Sequence, residues 1–344
     1  FNQKHGSPFG IAVEWVELHP SNRMLYAFTS FWSESHGVAT SFAIDAATGL
    51  LTQVSLEEEP CSTQGYQPCH AAVTPDGSWL AVAHYIAGTV SIFSCAGGCV
   101  LSPANLACRV SLPGERPAQL SGFKGPLAHG VQFDPSTSVV AVCNAGGGCI
   151  CVYGFDKLTG KLAEPAAETE CKSVENAVSC WQGILLRKLG ARPRHLCFHP
   201  RLPKVYVVTE AGNAVTWHSY SSKSGSLGKA EGQVSSVSMV ARAWHAFSCL
   251  PHLQMAAEID VTADGKYLLV SNRGIGGRSE NSVKVFAIDE TTGSLSSIAA
   301  GTLDVGGGPR HFALGDAGAM LVAGQQMGKS LVFFKMSKES GMWQ

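Results

Sequence analysis

Charge is what this sequence has least of. Asp, Glu, Lys and Arg make up 15% of its 344 residues, against about 25% in an ordinary globular chain. The 25 basic and 26 acidic residues leave a net charge of −1, so no global field draws the chain to nucleic acid or to an anionic membrane surface. A run of about 20 apolar residues, the length that spans a bilayer, is missing. So is a G-x-S-x-G turn that would expose a serine nucleophile. Cys95 and Cys99, and Cys149 and Cys151, have no second ligand pair at the spacing a zinc site requires. The chain opens at Phe1 with no basic or apolar leader pattern, so any targeting segment lies outside it. The expectation is a cytoplasmic monomer with no metal or organic cofactor and no nucleic-acid or membrane partner.

Apolar residues and glycine are plentiful, at 45% of the chain and 38 residues. The first excludes a disordered chain, and the second suits many short strands joined by tight turns. The twelve cysteines are scattered, and Cys143, Cys149, Cys151 and Cys197 sit inside apolar runs. They read as reduced core thiols.

Internal repetition sets the architecture. Six twelve-residue blocks align without a gap, starting at His19, Thr74, Asp134, His199, Thr262 and Gly315, with 53 to 65 residues between successive starts. Each opens with a turn and closes with a strand. In the second block Pro75, Asp76 and Gly77 supply a fixed φ, a side-chain acceptor and a residue tolerant of positive φ. An apolar run precedes each turn, another follows most blocks, and a weaker fourth run ends the unit. Four antiparallel strands at this period predict an all-β chain, a β-propeller forming a single domain over residues 1–344. Six blades are visible, and a seventh would need terminal segments largely absent from this sequence.

In such a blade the start of the innermost strand and the end of the second strand share one face of the ring. The first position holds His70, His129, Arg194-His195, Glu258 and Arg310-His311; the second holds His84, Tyr85, Asn144, Glu210, Asn272, Arg273, Gln325 and Gln326. These residues could merely hydrate a channel. Three arginines in one ring nevertheless repel one another unless carboxylates or an anionic ligand compensate, and Glu210 and Glu258 are the carboxylates at equivalent positions. An anionic small molecule is the expected partner. His and Glu suit proton transfer, and Arg suits a carboxylate, a phosphate or a developing oxyanion. Strand alternation predicts that Arg194 faces the axis while its neighbour His195 packs against the next strand. Gly146–Gly148 and Gly306–Gly308 precede no helix and read as loop punctuation rather than phosphate cradles. Trp244, with Arg242 and His245, would form a lid or a partner-binding rim.

Gly125-Pro-Leu-Ala-His129 ahead of a Phe-Asp-Pro turn, Arg192-Pro-Arg-His-Leu-Cys-Phe-His-Pro200, Val207-Val-Thr-Glu210, Val270-Ser-Asn-Arg-Gly274, Pro309-Arg-His-Phe312 and Ala323-Gly-Gln-Gln326 resemble the seven-bladed propeller lactonase family. That family includes bacterial-type 6-phosphogluconolactonase and fungal carboxy-cis,cis-muconate cyclase. The resemblance runs from the His19 block to Phe334 and implies a catalytic quartet of His129, Arg194, Glu210 and Arg273. His70, Tyr85, Asn144, Glu258, Arg310, His311, Gln325 and Gln326 are the candidate substrate-binding residues. Where members often carry an acidic residue this chain has Asn144, and the usual Asn-Glu of the fourth block reads Thr209-Glu210. The implied reaction is hydrolysis of a sugar-phosphate lactone in carbohydrate metabolism. The alternatives are cyclisation of a polycarboxylate muconate and a non-catalytic binding propeller.

Overall fold

The computed structural model describes residues 12–30, 36–54, 61–114, 126–170, 192–238, 253–275, 280–337 and 342–344. The Arg242, Trp244 and His245 cluster lies outside them. Among the described residues twenty-four strands form six antiparallel sheets, one per repeat block. The first holds β1 (Ala12–Leu18), β2 (Met24–Ser30), β3 (Val38–Ile44) and β4 (Leu51–Val54), with β5 (Cys61–Ser62) paired to β3. The second is β6 (Pro68–Val73), β7 (Trp79–His84), β8 (Thr89–Ser94) and β9 (Leu106–Ser111). The third is β10 (Ala128–Phe133), β11 (Val139–Asn144), β12 (Cys149–Asp156) and β13 (Lys161–Glu170). The fourth is β14 (Pro193–Phe198), β15 (Lys204–Thr209), β16 (Ala214–Ser221) and β17 (Ser226–Ser235). The fifth is β18 (Leu253–Val261), β19 (Tyr267–Ile275), β20 (Ser282–Ile288) and β21 (Leu295–Asp304), and the sixth β22 (Pro309–Gly315), β23 (Met320–Gln325) and β24 (Ser330–Lys335). The inner strands β1, β6, β10, β14, β18 and β22 pack side by side in chain order around the axis.

The turn that opens each block works as its composition predicts. Its fourth residue is left-handed in five blocks: Asn22, Gly77, Thr137, Gly265 and Gly318. At Thr74 and Thr262 the hydroxyl donates to the Asp two residues on, at 2.6 Å in each turn. The Asp carboxylate in turn accepts the backbone N–H of Ser78 or Lys266. The block histidines clasp neighbouring blades: His19 Nε2 lies 2.9 Å from the Gly77 carbonyl and His199 Nε2 lies 3.0 Å from that of Gly265.

A central strand of a blade is covered on both faces, so its side chains are apolar continuously rather than in alternation. In β11 every residue is buried. Val139, Ala141 and Cys143 pack toward the fourth blade, whereas Val140 and Val142 pack toward the second. Full burial of such a side chain is worth about 1.5–3 kcal/mol. Cys143, Cys149, Cys151 and Cys197 are buried, as their apolar runs predict.

One irregularity recurs in every inner strand. The pairing with the second strand slips at Val13/Trp15, Pro68/His70, Ala128/Val131, Pro193/His195, Ala256/Ile259 and Pro309/His311. Such bulges insert unpaired residues and re-aim the side chains beside them. Between β1 and the sixth sheet lies a cavity of about 430 Å³ whose lining includes Glu14, Trp15, Arg194, Arg310, His311 and Gln326. Among the described residues no helix is long and apolar enough to cross a membrane.

Candidate active site

The six bulges stack the functional side chains in two layers. Five residues before each block start stand Glu14, Cys69, His129, Arg194, Ala257 and Arg310; one residue later stand Trp15, His70, Gly130, His195, Glu258 and His311. Because the bulge at Arg194 interrupts the alternation, both Arg194 and His195 turn to the axis, at 3% and 1% exposure. The expectation that His195 packs away from the site is therefore corrected. Its ring centroid is 4.5 Å from that of His70 and 4.9 Å from that of His129. Gly130 permits this approach, since a Cβ there would stand 2.8 Å from both the carbonyl oxygen of Arg194 and the Cα of His195.

Three arginines converge on one carboxylate. Glu210, just past the end of β15, has an Oε1 that lies 2.5 Å from Arg273 Nη2 and 3.8 Å from Arg194 Nε, and its Oε2 lies 3.7 Å from Arg192 Nη2. Burial works to raise the Glu210 carboxyl, but the fields of Arg192, Arg194 and Arg273 outweigh it and hold the group below the usual carboxylate range. Arg192 reaches the cluster from a left-handed backbone, φ 52°, directly before Pro193. It also donates to the Tyr85 hydroxyl. Arg194 Nη1 donates to the Ala257 carbonyl at 2.7 Å. Burial first, and then the neighbouring Arg273 charge, bring Arg194 down to about 10, still cationic at neutral pH. The buried Nε atoms of Arg192, Arg194 and Arg273 have no hydrogen-bond partner among the described residues.

The second layer is imidazole around a carboxylate. Glu258 accepts from Nδ1 of His195 at 2.8 Å and from Nδ1 of His311 at 2.5 Å. Both histidines hold the Glu258 carboxyl well below its ordinary range against the opposing effect of burial. Burial would lower His311, yet Glu258 raises it above the usual histidine value. Burial, reinforced by Arg194, keeps His129 well below that value and therefore neutral at pH 7. His70 and His195 are also lowered chiefly by burial, His195 to about 4. Trp15 lies against His70 and edge-on to His311, at 4.1 and 4.7 Å between centroids, and its Nε1–H donates to Glu17. Burial also pushes the partly buried Glu17 and Asp260 up to about 7.

Not every candidate residue joins this constellation. Residues that end the second strands fall into two phases, and a single step separates them. Tyr85, Glu210 and Arg273 occupy one phase and meet in the cluster. His84, Asn144, Thr209, Asn272 and Gln325 occupy the phase before it and brace backbone instead. The Asn144 carboxamide accepts from Gly147 N–H at 2.8 Å and Leu127 N–H at 3.2 Å and donates to Pro113 O. Gln325 donates to the Val305 carbonyl and accepts from Ser330. Asn144, expected as a ligand contact, is thus taken up in bracing its own loop, whereas Gln325 braces its loop and also lines the cavity with Arg310 and His311. Arg310 sits 3.9 Å from Glu14 at the cavity wall, and Gln326 lines the same cavity. The sequence reading missed Arg192 and Trp15. Arg192 stands before a proline, outside the repeated position, and Trp15 reads as an ordinary apolar residue until its alignment with His70 and His195 is drawn.

Comparison with known proteins gives one consistent answer. A family model described as "Lactonase, 7-bladed beta-propeller" matches residues 9–344. A 6-phosphogluconolactonase of Bacillus subtilis is 26% identical over 95% of this chain and 81% of its own length. One from Formosa agariphila is 23% identical over 97% and 84%. Among solved structures, a periplasmic gluconolactonase of Pseudomonas aeruginosa superposes with a TM-score of 0.73 at 21% identity, covering 98% of this chain and 86% of that one.

Proposed function

We propose that this chain, which belongs to the lactonase family of seven-bladed β-propellers, hydrolyses the lactone of an anionic sugar acid, with 6-phospho-glucono-1,5-lactone as its substrate. The observation that carries the reading is the convergence of Arg192, Arg194 and Arg273 on the single carboxylate of Glu210. One negative charge against three positive ones leaves two uncompensated. The buried Nε–H groups without acceptors fit an incoming anionic oxygen.

In this reading Arg194 and Arg273 hold the lactone carbonyl and stabilise the negative charge that develops on its oxygen. His129, neutral beside them, takes a proton from water as the water oxygen bonds to the carbonyl carbon. The tetrahedral adduct collapses, the ring C–O bond breaks, and the His129 imidazolium returns the proton to the leaving alkoxide. The product acid ionises and releases one proton per turnover. Glu210, held as a permanent anion, keeps the arginines in place and is a weak base. The chemistry needs no metal or organic cofactor.

The deciding measurement offers purified protein the phosphogluconolactone in a pH-stat and, separately, a carboxymuconate monitored in the ultraviolet. Base consumption matching the lactone added, well above spontaneous hydrolysis, is the expected outcome. Loss of muconate absorbance instead would assign cyclisation, and inactivity on both would sink the proposal.

A further inference from the structure

Two buried nitrogens in the axial imidazole cluster have no hydrogen-bond partner among the described residues: His129 Nδ1 and His195 Nε2. They belong to rings whose centroids are 4.9 Å apart. A buried polar atom left unpaired loses its solvation without compensation, so the protonation states of the two rings are coupled. His195 Nδ1 lies 2.8 Å from the Glu258 carboxylate, which only accepts, so that nitrogen carries the proton. In a neutral ring the other nitrogen, Nε2, is then a bare acceptor. The third ring of the cluster, His70, accepts from the Val131 N–H at 3.4 Å on Nδ1 and so carries its proton on Nε2, which is not among the unpaired atoms. The two unpaired nitrogens satisfy each other, His195 Nε2 as acceptor, when His129 carries its proton on Nδ1.

We infer that Glu258 and His195 are positioning residues that fix the tautomer of His129. The chain runs from the Glu258 carboxylate to His195 Nδ1–H, and from His195 Nε2 to His129 Nδ1–H, closed by a small ring rotation or one bridging water. His129 Nε2 is left as the lone pair available for chemistry. The second Glu258 oxygen is held by His311 at 2.5 Å, which keeps the carboxylate ionised and oriented. The inference rests on the reading of His129 as the base, but its structural half can be tested without any substrate.

The test is histidine-selective ¹⁵N labelling and long-range ¹⁵N–¹H correlation, with the His129 resonances assigned by their loss in His129→Gln. In the parent protein His129 is expected as the Nδ1–H tautomer. In Glu258→Gln the carboxamide can donate to His195 Nδ1, so His195 moves its proton to Nε2 and His129 is driven to the Nε2–H form. The same variant should lose about 10²-fold or more in kcat, the range for a disabled general base, with KM near the parent value. Glu258→Asp keeps a carboxylate and should retain the parent tautomer and a larger share of the rate; it also serves if Glu258→Gln fails to fold. An Nε2–H His129 in the parent, or a tautomer indifferent to Glu258→Gln, overturns the inference. The expected tautomers in a protein without lactone turnover would leave the positioning chain standing and remove the function proposed above.

Discussion

Arg194 and His195 are consecutive in the chain, and both side chains face the axis because β14 bulges between Pro193 and His195. Arg194 spans the Glu210 carboxylate and the Ala257 carbonyl with different nitrogens of one guanidinium. A lysine has the charge without the planar fork. Arg194→Lys should therefore cost on the order of 10-fold or more in kcat/KM. If the guanidinium stabilises the oxyanion the loss falls on kcat, and if it clamps a distal anion it falls on KM. Steady-state kinetics on the parent and variant separate the two, and parent-like values in both would remove Arg194 from the site.

Glu210→Gln removes the one negative charge that Arg192, Arg194 and Arg273 share. Turnover should fall about 10²-fold or more, the range seen when oxyanion stabilisation is lost, because Arg194 and Arg273 lose the anion that holds them in place. The three guanidinium groups would also repel without compensation. Thermal stability should drop in phosphate-free buffer and recover on adding inorganic phosphate, more than it does for the parent. Melting curves with and without phosphate check this, and equal phosphate responses would argue against an anion-binding cluster.

The pH dependence of kcat/KM follows from His129. A base acts when unprotonated, and burial keeps the folded pKa of His129 well below 6.5. Activity should persist as pH falls past 6.5 and decline only when the lower folded value is reached. A kcat/KM profile measured on the acid side reports the free enzyme directly. An acid limb at or above 6.5 would assign the base to a different group.

Asp260 gives a stability prediction of the less usual sign. Burial raises its carboxyl from 3.8 to about 7, so between those values the folded chain keeps a proton that the unfolded chain has lost. Stability then falls as pH rises through that window, by about 1.4 kcal/mol for each unit separating the two values as an upper bound. Asp260→Asn removes the titration. The Tm advantage of the variant over the parent should be larger at pH 8 than at pH 5, and an advantage independent of pH would contradict the burial argument.

Much of this was legible in the residues because a propeller repeats its errors and its rules together. The six blocks and their turn residues, such as Gly77 and Gly265, place the turns, and the fourth residue is left-handed in five of them. Counting from the blocks also brings His129, Glu210 and Arg273 to one mouth. What counting could not resolve was one step of phase. Asn144 ends its second strand and Glu210 stands one residue past the end of its own, and Asn144 folds over its own loop while Glu210 reaches the arginines. Nor does alternation survive a bulge, which no local composition at Arg194-His195 announces. Arg192 was hidden for a different reason: its left-handed φ before Pro193 is set by the chain entering the blade, and arginine carries no signal for that backbone.

The division of each central strand between two neighbours also governs how the molecule responds to damage. Val140 and Val142 belong to the core shared with the second blade, and Cys143 and Val139 to the core shared with the fourth. No blade owns its interior. Stability is then a sum of interfaces along a row of nearest neighbours, as in a solenoid. Truncating one β11 side chain weakens one contact surface and spares the other, so cooperativity passes from blade to blade through alternate residues of the same strand. A loosened interface opens as a hinge between two otherwise intact sheets, and the axial histidines and arginines, drawn from five of the six sheets, would register that opening before any sheet unravels.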